Sequence, residues 1–570
     1  MNVLEHSHDA LPPDASFDIV VIGAGAAGMS AALFAAIDGA RVLLVESTEF
    51  VGGTSAWSAG TTWIPGTRHG AVVNPGDTLA DAKIYLDHAV GERTPAALRQ
   101  AFLDHGAQAV DHLEKHSDVR YRAYPRHPDY ISDLPGSTVN GRALEPVPFD
   151  GRLLGDLFRL VRPPIPEFTV LGGMMVDRTD INHLLALTKK WPSFKHALKL
   201  LTRHAIDRLR HPRGMRLVMG NALIGRLLLS LSKHTNVTLA LNTRLTDIGR
   251  GDSGVDAVTL QQAGQARVVK VTRGLILSSG GFNRHADKRA EMLPGADTAW
   301  CPGAPGHTGS AHTLAEQLGA RYATGAMSPA MWAPVSTRQR ADGSQAVFPH
   351  FVMDRAKPGV ITVNESGQRF VNESTSYHLM ALAMREQTGA TFLIADADAL
   401  RRYGLGMVRP GGKGLAPFLA DGYLVEAPSL DALAGKIGID AAGLQRTVAT
   451  VNGFAQTGID PDFHRGETVY QQNIGDATLG FSNPNLGTLA QAPFYAVRIY
   501  PGDIGAATGF ETTPDAQVLG ADGQPVRGLY AVGNDMQSIM GGVYPAPGIT
   551  LGPGVVFAWL AVGHAMGRVG

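Results

Sequence analysis

The chain is 570 residues long with 44% hydrophobic and 18% charged residues, the make-up of a globular protein too large for one typical core. Its net charge of −1 excludes a general attraction to nucleic acid. Cys301 is the only cysteine, which excludes an intrachain disulfide or a multi-cysteine metal site and fits a cytoplasmic location.

Residues 1–16 contain Glu5, Asp9 and Asp14 and no apolar core, so they read as a tail rather than a signal peptide. Phe17 to Ile22 reads as a short buried strand rich in β-branched residues. It runs into Gly23-Ala24-Gly25-Ala26-Ala27-Gly28, a helical stretch from Met29 to Asp38, and a second apolar run, Arg41 to Val45, ending at Glu46. Strand, glycine turn, helix, strand and acid in that order define a dinucleotide site. Gly23 permits the tight turn, Gly25 lets a pyrophosphate reach the helix N-terminus, and Gly28 lets helix pack on strand. Ala26 and Ala27, within the glycine turn, count among the cofactor contacts. Glu46 is placed to accept hydrogen bonds from both ribose hydroxyls, with Ser47 next to it. The uncharged run from Ile19 to Ile37 approaches bilayer length, but its glycine turn and the closing Asp38 argue against a span.

This motif does not separate FAD from NAD. The small-residue loop Gly52-Gly53-Thr54-Ser55-Ala56-Trp57-Ser58-Ala59-Gly60 follows directly. It resembles the flavin-contacting loop of the fumarate reductase/succinate dehydrogenase flavoprotein superfamily, which implies FAD. Gly53, Thr54, Ser55, Ser58, Ala59 and Gly60 are then cofactor contacts. Succinate dehydrogenase flavoproteins carry a histidine near here that bonds covalently to flavin; this loop has none, so non-covalent FAD is implied.

From Asp177 to Arg213, Trp191, Phe194, Leu198, Leu201, Ala205 and Leu209 fall at helical spacing on one face. Lys195, Lys199 and Arg203 form an adjacent basic stripe, joined by Lys189, Lys190, Arg208, Arg210 and Arg213. A basic amphipathic helix over residues 188–213 fits an anionic membrane surface, and equally an ordinary half-buried helix or an oligomer contact. Leu223 to Leu231 reads as a helix, and Val237 to Leu241, Arg244 to Ile248 and Val255 to Leu260 as strands. Gly274 to Phe282 is an apolar strand ending in a glycine turn that contains Gly280; the superfamily uses such a strand to return the chain to the FAD domain. Val360 to Val363, the helix-like Ser429 to Ile437 and Ala441 to Ala455 furnish a second domain. Gly528 to Asn534 repeats the strand-and-turn pattern, followed by Gly548-Ile549-Thr550-Leu551-Gly552-Pro553. The superfamily sets this last segment against the flavin ring, where a helix N-terminus stabilises the negative charge of reduced flavin. Asn534, Thr550 and Leu551 complete the cofactor set. The expected fold class is α/β: a discontinuous Rossmann-like FAD-binding domain (17–330, with the insertion 177–213, and 491–570) plus an α+β catalytic cap (331–490).

Fumarate reductases hold two carboxylates and protonate carbon with arginine and histidine. The corresponding stretch here, Gly367 to Tyr377, supplies a tyrosine instead. Gly541-Gly542-Val543-Tyr544-Pro545-Ala546-Pro547-Gly548 closely resembles 3-ketosteroid Δ1-dehydrogenases, whose pattern is a glycine pair, one residue, then Tyr-Pro-Gly-Pro-Gly. Ala546 is the one departure in that stretch. Phe494 to Arg498, Asp129-Tyr130 and Pro135-Gly136 add to a resemblance that spans residues 17–569 apart from the insertion, which is long for that family. It implies Tyr377 as the base for the C2 proton, Tyr130 as its hydrogen-bonding helper, and Tyr544 with the Gly548 N–H on the C3 oxygen. Phe351 and Met353 then line an apolar steroid slot. His307 and His312 come without a carboxylate, so no metal is read there. The implied partners are a lipophilic steroid and an external electron acceptor, a quinone or similar carrier. The rivals are a desaturase or reductase of another ketone or enoate on this scaffold, and a flavoprotein that only binds.

Overall fold

The structure, a computed structural model, describes residues 1–5, 11–12, 14–187, 190–252, 254–262 and 264–568. Ser16–Ile22 forms the strand expected from its β-branched run, and Ile19 to Ile22 are all buried, as in a parallel strand covered by helices. It pairs in parallel with Val42–Val45 on one side and Gln265–Leu277 on the other. Beyond Val42–Val45 lie Val237–Ala240 and then Asn2–Leu4, also parallel. Asn2–Leu4 is therefore a sheet edge, a correction to the tail expected for residues 1–16. Its backbone pairs with Thr238 to Ala240 and Leu4 is buried, so long-range pairing outweighs a polar local sequence. Pro525–Ala531 joins the C-terminal end of Gln265–Leu277 in parallel, while Gly254–Gln262 and Thr243–Gly251 extend its other half antiparallel.

Helix Ala26–Ile37 is buried nearly all round, packed against helices Met219–Ser232 and Leu551–Ala565. A helix apolar on every side belongs in a core, which accounts for the bilayer-length run. Among the described residues no helix is long and apolar enough to cross a membrane.

A second sheet has six strands in the order Gln345–Pro349, Ala330–Gln339, Phe494–Ala506, Thr391–Asp396 and Val360–Val363, with Val425–Ala427 also on Phe494–Ala506. Sequence reading groups residues 491–570 with the nucleotide-binding part. The strand Phe494–Ala506 is instead the spine of this cap sheet. Its alternation explains why: Tyr495, Val497 and Ile499 fill one apolar cluster, while Phe494 and Ala496 fill another on the opposite face. Ser429 and Asp440 cap helices Leu430–Ile437 and Ala441–Thr457 with their side chains.

The insertion forms helix Arg178–Leu185, opened by an Asp177/Asp180 capping box, and helix Trp191–Arg208. The latter buries Ser193, Ala197, Leu200, His204 and Asp207. That is the face opposite the apolar stripe. Trp191 is 66% exposed and Leu209 83%, and Phe194 and Leu198 are also exposed. Hydrogen bonds decide the orientation: His204 Nε2 lies 2.8 Å from the Leu171 carbonyl, and Asp207 accepts from Arg152 and from the Met215 N–H at 2.9 Å. Arg203 pairs with Asp150, and Arg213 donates to Asn221 and to the Val161 carbonyl, so both leave the open basic stripe. Lys189 lies outside the described residues.

Candidate active site

The three glycines of the turn are required for different reasons. Gly23 has φ +106°, and a Cβ there would lie 2.3 Å from the Ser278 carbonyl oxygen. A Cβ at Gly28 would lie 1.9 Å from the Gly23 carbonyl oxygen. The chain itself demands glycine at both. At Gly25 φ is −75°, and a Cβ would find nothing closer than Ser55 Oγ at 3.8 Å. Nothing in the protein needs glycine at that position, which leaves the helix N-terminus open to an external group.

The loop beyond it closes over the same spot. Ser55 Oγ accepts from the Ala26 N–H at 3.2 Å. Thr54 Oγ1 accepts from the Ala304 N–H at 2.8 Å and lies 3.2 Å from His307 Nε2. Ser58 Oγ donates to the Ser55 carbonyl and accepts from the Gly60 N–H, while Gly53 has positive φ and Ala59 stands exposed. Glu46 is buried; one carboxylate oxygen accepts from the Ala24 N–H at 3.1 Å and the other from the Thr48 N–H at 3.0 Å, with Ser47 Oγ at 3.4 Å. The Thr48 hydroxyl also donates at 2.8 Å to the oxygen that takes the Thr48 N–H, so that oxygen is fully engaged, while the one facing Ala24 has a single donor and keeps an acceptor position open. Gly280, at φ +96°, turns under the His307 ring. Ser279 and Gly281 donate backbone N–H groups to Asp535, a residue that sequence reading missed although it follows Asn534 directly. Asn534 and Thr550 share one small cavity with Gly533, Ile549 and Pro553, next to Leu551, where helix Leu551–Ala565 begins. His312 lies 2.8 Å from that same Asp535 and also contacts the Tyr322 hydroxyl.

Three of the predicted tyrosines meet although they are far apart in sequence. The Tyr130 hydroxyl donates to the Tyr377 hydroxyl at 3.4 Å. The Tyr377 ring lies 5.0 Å from that of Tyr544 and 4.8 Å from that of Phe351, centroid to centroid. The Tyr130 and Tyr544 rings stack at 5.8 Å. Tyr377 is the first residue of helix Tyr377–Arg385, whose N-cap is Ser376, so its position is fixed by the cap. Gly548 has φ +88°, with its missing Cβ aimed 2.4 Å from the Thr61 carbonyl oxygen. Its own carbonyl accepts from Trp63 and Gly552. The Pro545 carbonyl between Tyr544 and Gly548 accepts from the Tyr130 N–H at 2.7 Å and from the Tyr85 hydroxyl at 2.5 Å. That bond selects Tyr130 over its neighbours Tyr121 and Tyr124. Met353, 51% exposed, sits in the loop next to Phe351.

Burial pushes Tyr130 and Tyr377 well above the ordinary phenol range, and mutual repulsion with the neighbouring phenols adds to it. Tyr544 is raised by burial too, partly offset by hydrogen bonds from Tyr377 and Thr550. The resting cluster is therefore neutral, and a phenolate needs an added positive influence. Tyr85 and Tyr470, whose ring lies 4.7 Å from that of Tyr130, complete the wall; no motif in the sequence marks either.

A helix N-terminus open to phosphate, a buried acid at the second strand and a glycine-rich turn facing a second helix together fit an FAD site. Residues 18–551 match the FAD binding domain family, and the chain belongs to it. It is a flavin oxidoreductase similar to 3-oxosteroid 1-dehydrogenases. The 3-oxosteroid 1-dehydrogenase of Mycolicibacterium smegmatis is 35% identical, with 96% of each chain covered. The 4-oxocyclohex-2-ene-1-carboxylate 5-dehydrogenase of Sinomonas cyclohexanicum is 36% identical over 95% of this chain and 92% of that one. The crystal structure of 3-ketosteroid Δ1-dehydrogenase from Sterolibacterium denitrificans, in complex with 1,4-androstadiene-3,17-dione, aligns at TM-score 0.90 and 32% identity. It covers 97% of this chain and all of that one.

The contrast among the glycines makes a prediction. The Gly25→Ala variant is expected to fold with an unchanged circular dichroism spectrum yet lose FAD affinity by about tenfold or more, about 1.4 kcal/mol. Gly28→Ala is expected to lose the fold itself. Flavin content and thermal melting measure both, and equal flavin occupancy in Gly25→Ala and wild type would remove Gly25 from the phosphate site.

Proposed function

We propose that the chain is an FAD-dependent 3-oxosteroid 1-dehydrogenase holding its FAD non-covalently. The observation that carries this reading is the Tyr130–Tyr377–Tyr544 cluster set against the Gly548 turn. Tyr377 takes the proton from C2, and Tyr130 donates a hydrogen bond to the Tyr377 oxygen. The Tyr544 hydroxyl and the Gly548 N–H hold the C3 oxygen as it gains enolate character, the moment at which such donors matter most. The C2–H electron pair becomes the C1=C2 bond as a hydride leaves C1. FAD, when bound, supplies the acceptor for that hydride, and an external carrier such as a quinone then receives the electrons. Phe351 beside Tyr377 and the exposed Met353 give the slot an apolar wall suited to a lipophilic ring system.

A second reading is favoured by the 36% identity to a dehydrogenase of a small cyclic oxo acid: the same α,β-dehydrogenation on a single ring. Anaerobic mixing separates the two. With 4-androstene-3,17-dione the flavin absorbance is expected to bleach within one turnover. Bleaching only with 4-oxocyclohexanecarboxylate would transfer the assignment to the small ring, and bleaching with neither would end both. Acid precipitation is expected to leave the flavin in the supernatant.

The insertion holds the enzyme against an anionic bilayer on the cytoplasmic side, where a lipophilic substrate and a quinone both dissolve. Residues 188–213 carry eight Lys and Arg against the single acid Asp207, which is buried. Lys190, Lys195, Lys199, Arg208 and Arg210 are exposed on both flanks of the Trp191–Phe194–Leu198 stripe, the arrangement of an interfacial helix. Full-length protein is expected to float with phosphatidylglycerol vesicles at low salt. The triple variant Trp191→Ser, Phe194→Ser, Leu198→Ser is expected to stay behind with its activity intact. Equal flotation of the two, or a dimer that dissolves in the variant without any vesicle binding, would overturn the membrane role.

A further inference from the structure

Arg355 is a fully buried guanidinium with no carboxylate at ion-pair distance among the described residues. Its fork is spent on backbone. Nε donates to the carbonyls of His350 at 3.1 Å and Phe351 at 2.8 Å. Nη1 donates to the carbonyls of Glu373 and, at 2.7 Å, of Thr375. The first pair belongs to the loop whose Phe351 ring touches Tyr377. The second pair immediately precedes Ser376, the cap of the helix that Tyr377 opens. One side chain thus ties the two segments that wall the reacting tyrosine.

What is left over points at the same cluster. Arg355 Nη2 and the Tyr470 hydroxyl are both buried and have no partner besides each other, and the Tyr470 ring packs on Tyr130. The neighbouring acids are already engaged: Asp354 with His350 and the Gly406 N–H, and Glu373 with Arg369 and Arg465. A buried charge without a counterion is costly and persists where something else needs it.

We infer that Arg355 is a positioning residue for proton abstraction, fixing the Phe351 and Tyr377 segments and presenting the positive charge beside which the Tyr130–Tyr377 pair becomes anionic. The inference rests on the reading of Tyr377 as base. Burial raises Tyr130 and Tyr470, and the charge of Arg355 acts on both in the opposite sense. The pair first loses one proton to solvent. The phenolate then accepts the C2 proton, and the C2–H electrons enter the C1=C2 bond as hydride leaves C1, for which FAD, when bound, would supply the acceptor. The titratable groups packed in this cluster are Tyr130, Tyr377, Tyr470 and Tyr544, with His378 beside Tyr544; His350, Asp354, Glu373, Arg369 and Arg465 lie behind it, on or against the segments that Arg355 ties. Of the cations among them, Arg369 and Arg465 are paired with Glu373.

Two substitutions divide the charge from the hydrogen bonds: Arg355→Gln keeps donors without charge, and Arg355→Lys keeps charge without the fork. Both are compared with wild type as FAD-loaded full chain. The readouts are the pH profile of anaerobic flavin bleaching and the ultraviolet difference titration of tyrosinate, which needs no turnover. The alkaline-rising limb, and the tyrosinate titration with it, is expected to move up by about one pH unit or more in Arg355→Gln, a rate loss of about tenfold at neutral pH. In Arg355→Lys the limb is expected to stay in place while the rate falls, and steroid binding is expected to be retained in both. The same limb in Gln and wild type, or a Lys variant displaced as far as Gln, would reduce Arg355 to a structural clamp. Wild type that bleaches with neither ring ketone would instead end the underlying reading, whatever the variants do.

Discussion

Replacing Tyr377 by Phe is expected to cut turnover by about 10³-fold or more while FAD and steroid binding stay within about twofold. General-base removal alone accounts for about 10²–10⁴. The Phe ring keeps the packing against Tyr544 and Phe351, so the loss falls on kcat rather than on KM. The Tyr130 hydroxyl would lose its one partner in the cluster, at 3.4 Å, a secondary cost confined to a group that touches no cofactor contact described above. Stopped-flow flavin reduction with 4-androstene-3,17-dione measures the chemical step directly. A variant that bleaches at the wild-type rate would strip Tyr377 of its role.

Gly548→Ala is expected to damage both catalysis and stability. The residue holds φ +88°, and its Cβ would fall 2.4 Å from the Thr61 carbonyl oxygen. The left-handed conformation alone costs about 1–2 kcal/mol for a residue with a Cβ, and a backbone oxygen cannot step aside as a side chain can. The turn would move, carrying the Gly548 N–H away from the oxygen that the proposed mechanism assigns to it and loosening the Trp63 and Gly552 hydrogen bonds to its carbonyl. Loss of one such donor is worth about 10²–10³ in kcat. Steady-state kinetics and thermal melting on the same sample test it: unchanged kcat with a lowered melting temperature would leave Gly548 a purely structural glycine.

What sequence could reveal followed the range of the interactions. Gly28 was legible because a Cβ there meets the Gly23 carbonyl a few residues back, and Gly23 because its positive φ belongs to the turn itself, although the Ser278 carbonyl that also excludes a Cβ there comes from a distant strand. The Gly548 segment was legible because glycine and proline written so densely leave the backbone few options. Tyr130 stands near Tyr121 and Tyr124 in sequence, and what sets it apart is non-local: its N–H bonds the Pro545 carbonyl, more than four hundred residues on. Tyr85, Tyr470 and Arg355 carry no local signal at all, since each gains its role from segments folded against it. On the insertion helix, periodicity correctly grouped Trp191 with Leu198 but gave no hint of which way that face points. His204 and Asp207, polar residues captured by buried hydrogen bonds, set the orientation. Asn2–Leu4 and Phe494–Ala506 were misplaced for a related reason: strand partnership is a non-local property.

The long strand Phe494–Ala506 has a mechanical consequence. Near its far end Asp503 is gripped by Asn283 and Arg289, and Gly505 lies so close to Asn534 that a Cβ there would sit 2.8 Å from its side-chain amide. The cap sheet and the wall of the cofactor cavity are thus one continuous girder, not two bodies on a hinge. Opening by a swing of the whole cap would bend that girder or break its buried ion pair.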